Sequence, residues 1–293
     1  MYDITNLYEA KSLQNAITLL KEHPEALVIA GGSDLLVKVR EGTLAGREFV
    51  SIFKLDELRG VSLDPDGTLR ILPLTSFSHI TKNPLIQKHI NVLGEAADQV
   101  GGPQIRNIGT IGGNICNGVT SADCASTLFA YDATVELTGS EGVRLLPIKD
   151  FYIAPGEVAL KPTEILTAIL IKPESYEGYF GHYIKHAVRN AMDIAILACS
   201  CNVKLSADKK TVMDMRLAFG VAGPVPVRAA AVEAAVKGKS VSEELLETAG
   251  KVALTEANPR TDRHAKREFR LHLMGELTKR AMKKSIELAG GNI

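Results

Sequence analysis

The first fifty residues show an apolar pattern that predicts a small α/β unit. Apolar positions share one helical face in 13-LQNAITLLKEH-23, and Ser12 before them is a good N-cap. A short apolar strand, 27-LVIA-30, follows this helix, and the chain then turns through Gly31–Gly32 into a second short helix. The predicted order is therefore helix, strand, glycine turn and helix.

From about residue 48 to Pro173 the apolar pattern predicts mostly strands, with one helix. The helix begins with Asn83 as N-cap and Pro84 as its first residue, and it ends at Gly101. Apolar runs of this length and alternation are typical of strands. The predicted elements are strands at 49–52 and 69–77, a helix at 83–100, β-rich runs at 127–139 and 143–151, and a strand at 164–172.

The polar stretch 173-PESYEG-178 has Pro and Gly at its ends and is a plausible domain boundary. Strands followed by helices predict a separate α+β domain with a three-stranded antiparallel sheet. We predict domains 1–175, with subdomains of about 1–50 and 51–175, and 176–293. The elements of the second domain are strands at 179–188, 194–205 and 212–222 and helices near 226–237, 242–257 and 265–289.

Composition narrows the class of protein. Of the 293 residues, 45% are apolar, which is enough for a substantial core. Lys and Arg number 34, as do Asp and Glu, so no electrostatic footprint for nucleic acid exists. The N-terminus does not resemble a secretory signal, and no apolar run approaches the length of a membrane helix. We expect a soluble cytoplasmic protein with no nucleic acid or membrane partner.

The four cysteines do not show the C-x-x-C-type pairs of zinc and iron–sulfur sites. We therefore expect free thiols buried in a reducing compartment and no cluster in this chain. The seven histidines are dispersed. His182 and His186 share one face of a predicted strand, but without a carboxylate or thiol partner they are weak candidates for a metal site. No metal ligand and no catalytic dyad is predicted.

Two glycine-rich segments, 30-AGGSDLL-36 and 109-GTIGGNICNG-118, are the main candidates for a binding site. Glycine is so enriched over 101–118 that a loop is predicted there, and backbone N–H groups in such loops bind phosphate oxygens. The first segment leads from a strand to a helix capped by Ser33 or Asp34. Neither segment matches a Rossmann or P-loop pattern. Ordinary tight turns are the alternative; otherwise the two segments hold a diphosphate from two sides.

The pairing of AGGSDLL with TIGGNI resembles the FAD-binding subunits of the molybdenum hydroxylase family, which includes xanthine and CO dehydrogenases. The likeness spans nearly the whole chain, and 101–123 looks most like the separate flavin subunits of bacterial xanthine dehydrogenases. The further segments that fit in order are 121-SADCASTLFAYDATVEL-137, 164-EILTAI-169, 183-YIKHAVRNAMDIAI-196 and 263-RHAKREFRLHL-273.

The resemblance implies an α+β fold: an FAD-binding part of the vanillyl-alcohol-oxidase type, made of two α/β subdomains, and a C-terminal α+β domain. In flavin-linked oxidases of the wider fold, a His to which the flavin is covalently attached often stands directly after the paired Gly. Ser33 occupies that place here, so FAD should be bound non-covalently. The Cys-rich insertion of the benzoyl-CoA reductase branch is absent from the sequence.

The resemblance also implies cofactor-binding residues. The two sets lining the pyrophosphate and ribityl chain are Leu27, Val28, Ile29, Ala30, Gly31, Gly32, Ser33, Asp34 and Leu35 on one side and Gly109, Thr110, Ile111, Gly112, Gly113 and Asn114 on the other. Asp123 would accept hydrogen bonds from FAD hydroxyls; its alternative role is a cap or turn acid. Leu166 would touch the flavin or adenine unless it is a core residue. Lys185 would lie near the isoalloxazine unless it is an exposed strand lysine.

The same resemblance implies that the chain is an electron-transfer subunit. A partner large subunit would hold molybdopterin and oxidise the substrate, a purine or another heterocycle. A partner small subunit with [2Fe–2S] clusters would pass electrons through FAD to NAD in a heterotrimer. The alternatives are a self-sufficient FAD-dependent dehydrogenase or oxidase, the flavin subunit of a CO dehydrogenase-like or other aromatic-heterocycle hydroxylase, and a non-redox nucleotide-binding module.

Overall fold

The beginning of the chain forms a three-stranded parallel sheet in the order β1-β3-β2, as seen in a computed structural model that describes residues 2–293. The Ser12 side chain accepts a hydrogen bond from the backbone N–H of Asn15, which confirms the predicted N-cap. The elements of this part are β1 (Ile4–Glu9), α1 (Leu13–Glu22), β2 (Leu27–Ile29), α2 (Leu35–Arg40) and β3 (Arg47–Ser51).

A five-stranded antiparallel sheet in the order β4-β5-β10-β6-β7 follows, with helices packed on it and a separate β8-β9 hairpin. Short 3-10 helices lie at Asp56–Leu58 and Pro173–Ser175. The elements are β4 (Val61–Leu63), β5 (Leu69–Ile71), α3 (Phe77–Lys82), α4 (Pro84–His89), α5 (Asn91–Asp98), α6 (Pro103–Ile108), α7 (Ile111–Cys116), α8 (Asp123–Ala130), β6 (Thr134–Gly139), β7 (Gly142–Pro147), α9 (Ile148–Phe151), β8 (Tyr152–Ala154), β9 (Glu157–Val158) and β10 (Ile165–Ile171).

Four predictions for this part are wrong at least in part. The strand predicted at 69–77 ends at Ile71, and the run predicted over 143–151 ends in helix α9 (Ile148–Phe151).

The other two concern helices. The helix predicted over 83–100 is two helices, because Ile90 leaves the helical conformation at φ −140° and ψ 48° and α5 starts afresh after it. The β-rich run predicted over 127–139 begins inside α8, and only its second half is a strand. Asn83 does cap α4, since its side chain accepts from two backbone N–H groups.

The last part contains a four-stranded antiparallel sheet in the order β11-β12-β13-β14, and the last three helices of the chain pack on one of its faces. Three strands were predicted; the additional one is only two residues long and pairs with Ala218 and Phe219. It occupies the start of the helix predicted at 226–237, so that this helix begins only at Ala230. The elements are β11 (Phe180–His186), β12 (Leu197–Leu205), β13 (Val212–Gly220), β14 (Val227–Arg228), α10 (Ala230–Val236), α11 (Glu243–Ala253) and α12 (Arg267–Leu288).

The buried apolar residues form two large clusters on opposite faces of the four-stranded sheet. The central cluster joins the five-stranded sheet, helices α3–α5 and α7–α9, and the sheet face that carries Tyr183 and Ala198. The second cluster joins the other face, which carries Cys199 and Cys201, to α10–α12. Tyr176, within the predicted boundary 173–178, is itself part of the central cluster, so this segment is packed rather than free.

All four cysteines are unpaired thiols. Three of them are buried as expected, and Cys116 is half-buried. Burial raises the pKa of the Cys116 and Cys201 thiols to about 12 and also raises the pKa of Cys124 and Cys199. Within residues 2–293, no helix has the length and apolar character that crossing a membrane requires.

Candidate cofactor site

The structure brings the two glycine-rich segments into direct contact. Gly31 lies against the backbone of Ile108 and Gly109, so closely that a Cβ atom at residue 31 would overlap the Ile108 carbonyl oxygen. A second link joins α2, which follows the first segment, to the end of the second segment, because Lys38 Nζ donates a 2.9 Å hydrogen bond to Asn117 Oδ1. The two segments therefore lie against each other.

The first segment offers a run of free backbone donors. The backbone N–H groups of Gly31, Gly32, Ser33 and Asp34 donate to no acceptor within residues 2–293. Gly32 has a φ of +72°, a conformation that favours glycine. Asp34 occupies the N-cap position of α2, as predicted. Its side chain makes no capping hydrogen bond, however, and does not cap the helix. Consecutive free N–H groups in a turn are suited to phosphate oxygens.

The second segment is not the open loop that its glycine content predicts. Residues Ile111–Cys116 form α7, and the Thr110 side chain caps this helix by accepting from Gly113 N–H at 3.1 Å. The backbone N–H of Gly112 donates to Pro73 O at 2.9 Å, and a Cβ atom at Gly112 would lie 2.5 Å from Pro73 Cβ. Glycine is needed at residue 112 for close packing, and that N–H group is not available to a ligand.

One polar atom of the second segment does remain available. Asn114 Oδ1 is buried and has no hydrogen-bond partner in the part of the chain that the structure describes. A buried acceptor without a partner costs about 1–3 kcal/mol, so such an atom is expected to meet a donor from a ligand or water. Gly113 beside it is exposed. The free donors of the first segment and this acceptor fit a ligand that carries both phosphate oxygens and hydroxyl groups.

Asp123 and Lys185, which are 62 residues apart in the chain, form a buried ion pair. Lys185 Nζ donates to Asp123 Oδ2 at 2.9 Å and to the Gln99 carbonyl oxygen at 3.0 Å. The side chains are 6% and 9% exposed, which excludes an exposed strand lysine. Burial raises the pKa of the Asp123 carboxyl, while the Lys185 ammonium and the Tyr183 hydroxyl oppose that shift. Both charges of this pair are therefore held inside the protein by specific partners.

Sequence reasoning did not predict the residues that surround this pair. Tyr183 Oη donates to Asp123 Oδ1 at 3.0 Å, and Tyr183 N–H donates to Glu95 Oε2 at 2.9 Å. The same Glu95 oxygen lies 2.9 Å from His182 Nδ1, so His182 has the carboxylate partner that the sequence did not reveal. Among residues 2–293, no group of three or more His, Cys, Asp or Glu side chains is arranged to hold a metal.

The apolar residues implied by the resemblance lie at different depths. Leu166 on β10 is 3% exposed, belongs to the central cluster and pairs with Leu137, which is the position of a core residue. Ile29 on β2 is buried at 8% exposure. The other apolar residues of the set 27–35 are half-buried; these are Leu27, Val28, Ala30 and Leu35.

Comparison with known families defines the class of protein. Residues 3–173 match a family described as the FAD binding domain in molybdopterin dehydrogenase, and residues 182–285 match the CO dehydrogenase flavoprotein C-terminal domain. The chain therefore belongs to the family of FAD-binding subunits of molybdenum hydroxylases, and it is a subunit of an oxidoreductase with an FAD-binding domain. The family and the fold class predicted from the sequence are confirmed.

Individual relatives show which members of the family the chain is similar to. The chain is 39% identical to the putative xanthine dehydrogenase FAD-binding subunit XdhB of Escherichia coli K12, over 100% of both chains. It is 29% identical to the glyceraldehyde dehydrogenase medium chain of Sulfolobus acidocaldarius, over 94% of this chain and 95% of that one. Its structure matches a chain of carbon monoxide dehydrogenase from Hydrogenophaga pseudoflava with a TM-score of 0.92, 26% identity and 99% coverage of both chains.

Proposed function

We propose that the chain binds FAD non-covalently between its two glycine-rich segments and relays electrons to NAD. In the proposed heterotrimer, a small subunit supplies electrons from [2Fe–2S] clusters, and a large subunit holds molybdopterin and oxidises the substrate. The observation that carries this proposal is the run of free N–H groups at Gly31–Asp34, held against a second segment whose Asn114 Oδ1 is buried without a partner.

The residues of this chain would bind and orient the cofactor. The free N–H groups of 31–34 are suited to its pyrophosphate, and Asn114 Oδ1 is suited to one of its hydroxyl groups. Lys185, held by Asp123, would place a positive charge beside the isoalloxazine, as the family resemblance implies. Bound FAD would supply the ability to exchange electrons singly or in pairs, which a relay between clusters and NAD requires.

The proposed substrate of the assembly is inferred from the relatives. Full-length likeness to a xanthine dehydrogenase FAD-binding subunit supports a purine as the substrate of the assembly, although that substrate would be chosen in the large subunit. Ser33 offers no ring nitrogen for covalent attachment, which supports a dissociable cofactor. Four unpaired thiols favour a reducing compartment, so we also propose a cytoplasmic location.

The test is purification of the complex from its native host with the visible spectrum recorded. We expect flavin absorption bands, release of FAD by denaturation without proteolysis, and co-purification of molybdenum-containing and iron–sulfur subunits. The isolated chain should oxidise NADH with an artificial acceptor and should not turn over purines alone. A colourless chain would contradict flavin binding, and substrate turnover by the isolated chain would identify a self-sufficient flavin enzyme instead.

A further inference from the structure

Tyr183 carries a hydroxyl group that packing alone does not explain. Its side chain is 1% exposed and belongs to the central cluster, where a phenylalanine ring would fill the same space. The hydroxyl instead donates a 3.0 Å hydrogen bond to Asp123 Oδ1. The Tyr183 hydroxyl therefore has a specific partner, the Asp123 carboxylate, to which a phenylalanine in the same place could not donate.

We propose that Tyr183 is a positioning residue of the flavin site: its hydroxyl orients the Asp123 carboxylate, and the carboxylate in turn fixes the Lys185 ammonium. This inference rests on the proposed function, in which FAD occupies the region between the two segments. It deepens that function by giving Asp123 the role of a counter-ion and by adding a residue that does not itself touch the cofactor.

The geometry supports this division of roles. Each oxygen of Asp123 has its own donor, since Oδ1 accepts from Tyr183 and Oδ2 accepts from Lys185. Tyr183 and Lys185 are two positions apart on β11, so they point to the same face of the sheet and hold the carboxylate between them. The terminal torsion of an aspartate is broad, and without the tyrosine donor only Lys185 would hold the orientation of the carboxylate.

Both donor residues are themselves held by further hydrogen bonds. Tyr183 N–H donates to Glu95 Oε2 at 2.9 Å, and Lys185 Nζ donates to the Gln99 carbonyl oxygen at 3.0 Å. An ammonium group has three protons, and two of the three on Lys185 are engaged by Asp123 and Gln99. A single donor therefore remains for a ligand, and its direction is set by the two that are bound.

The electrostatic consequence concerns the flavin potential. A buried carboxylate needs donors to offset its charge, and Tyr183 supplies one of the two that Asp123 has among the described side chains. Removing this donor leaves more negative charge uncompensated near Lys185. Reduction adds negative charge to a flavin, so the loss of the donor should make bound FAD harder to reduce and should weaken its binding.

The experiment compares two phenylalanine variants of the full-length chain, stripped of flavin and titrated with FAD. Tyr183→Phe removes the donor to Asp123. Tyr152→Phe is the matched control, because Tyr152 is 5% exposed and its hydroxyl has no partner within residues 2–293. We expect Tyr183→Phe to weaken FAD binding by about tenfold and to lower the flavin midpoint potential, while Tyr152→Phe changes neither.

A double-mutant cycle with Asp123→Asn separates positioning from packing. If Tyr183 acts through the carboxylate, Tyr183→Phe should have little further effect on affinity or potential in the Asp123→Asn background. An equal effect in both backgrounds, or a Tyr183→Phe variant that loses thermal stability without any change in potential, would overturn the inference. Failure of the unaltered chain to bind FAD would overturn the proposed function and this inference with it. FAD binding by the unaltered chain, together with identical behaviour of the two phenylalanine variants, would overturn this inference alone.

Discussion

At the residue scale, Gly31 occupies a position where a methyl group has no room. A Cβ atom there would overlap the Ile108 carbonyl oxygen, and backbone atoms cannot move aside as a flexible side chain can. We expect Gly31→Ala to push the two glycine-rich segments apart, to weaken FAD binding by roughly tenfold or more, and to lower the free energy of unfolding by about 1–3 kcal/mol. Flavin titration and urea unfolding measure these two effects.

Gly94 provides the control for this substitution. It lies inside α5, and a Cβ atom there would be 3.5 Å from Ile86 Cγ2, an ordinary contact. Alanine is the better helix former by about 0.5–1 kcal/mol, so Gly94→Ala should leave flavin binding unchanged and leave stability unchanged or slightly improved. If Gly31→Ala also binds FAD as tightly as the unaltered chain, the contact between the segments is not required for the site.

The sequence predicts residues of the candidate site better than it predicts their partners. The glycines and Asp123 and Lys185 are marked by local motifs. The bond from Tyr183 to Asp123 spans 60 residues and the bond from its backbone to Glu95 spans 88, and neither separation follows from a local pattern. Only the two-residue spacing of Tyr183 and Lys185 on one strand was visible in advance as a sign that they share a face.

At the scale of elements, the start of α12 is held by an ion pair whose arginine is buried. Arg270 is 1% exposed, and its Nη2 donates to Asp262 Oδ1 at 2.7 Å. The same Asp262 oxygen accepts backbone N–H groups of His264 and Ala265 at 2.9 and 3.2 Å. A single carboxylate thus joins the turn before α12 to the first turn of that helix.

Replacing this carboxylate should lower the free energy of unfolding. Asp262→Asn leaves the Arg270 guanidinium buried without its counter-charge, and we expect the free energy of unfolding to fall by about 3–5 kcal/mol in urea titrations. Asp56→Asn is the control, because Asp56 also pairs with an arginine but its side chain is 95% exposed, so the loss should stay below about 1 kcal/mol. Equal losses in the two variants would show that burial of the pair does not matter.

The same pair predicts how stability depends on pH. Burial alone would raise the pKa of Asp262, but backbone N–H groups of His264 and Ala265 and the charge of Arg270 outweigh it and lower the pKa from 3.8 to about 2. A lowered pKa in the folded state stabilises the fold above about pH 4, and this contribution is lost as the pH falls toward about 2. The difference in stability between the unaltered chain and Asp262→Asn should therefore shrink over that window. A difference that stays constant down to pH 2 would contradict the ion pair.

Secondary structure could be predicted where the signal is local. The side chains of Ser12 and Asn83 cap helices by accepting hydrogen bonds from backbone N–H groups within the next three residues. Both helix starts could therefore be predicted from local sequence. Helix α8 was mistaken for a strand because every one of its residues is buried, and a helix without a polar face has no periodic pattern. Its helical conformation depends on packing between the two sheets, which one sequence does not show.

At the scale of the whole molecule, the central apolar cluster crosses from the FAD-binding part into the C-terminal part. It includes Leu69 on β5 and Val221 after β13. Charged groups reinforce the junction, since Arg216 and Arg228 of the C-terminal part both pair with Asp132. A shared core of this kind links the stability of the two parts.

We therefore expect the flavin-free chain to unfold in a single cooperative transition. Calorimetric and van't Hoff enthalpies should agree, and far-ultraviolet circular dichroism and tyrosine fluorescence should report the same midpoint. Two resolved transitions, with one part melting while the other persists, would show that the proposed domains 1–175 and 176–293 fold independently.

The raised pKa values of the four thiols have a practical consequence for studying the assembly. Thiol reagents attack thiolates, and a pKa of about 12 at Cys116 and Cys201 leaves almost no thiolate at neutral pH. The cysteines of the native chain should therefore not react with such reagents, whereas every cysteine of the unfolded chain should react. A cysteine placed on the surface would take up a spectroscopic label alone, with the four natural cysteines left in place. Distances from this subunit to its partners could then be measured in the otherwise unaltered protein.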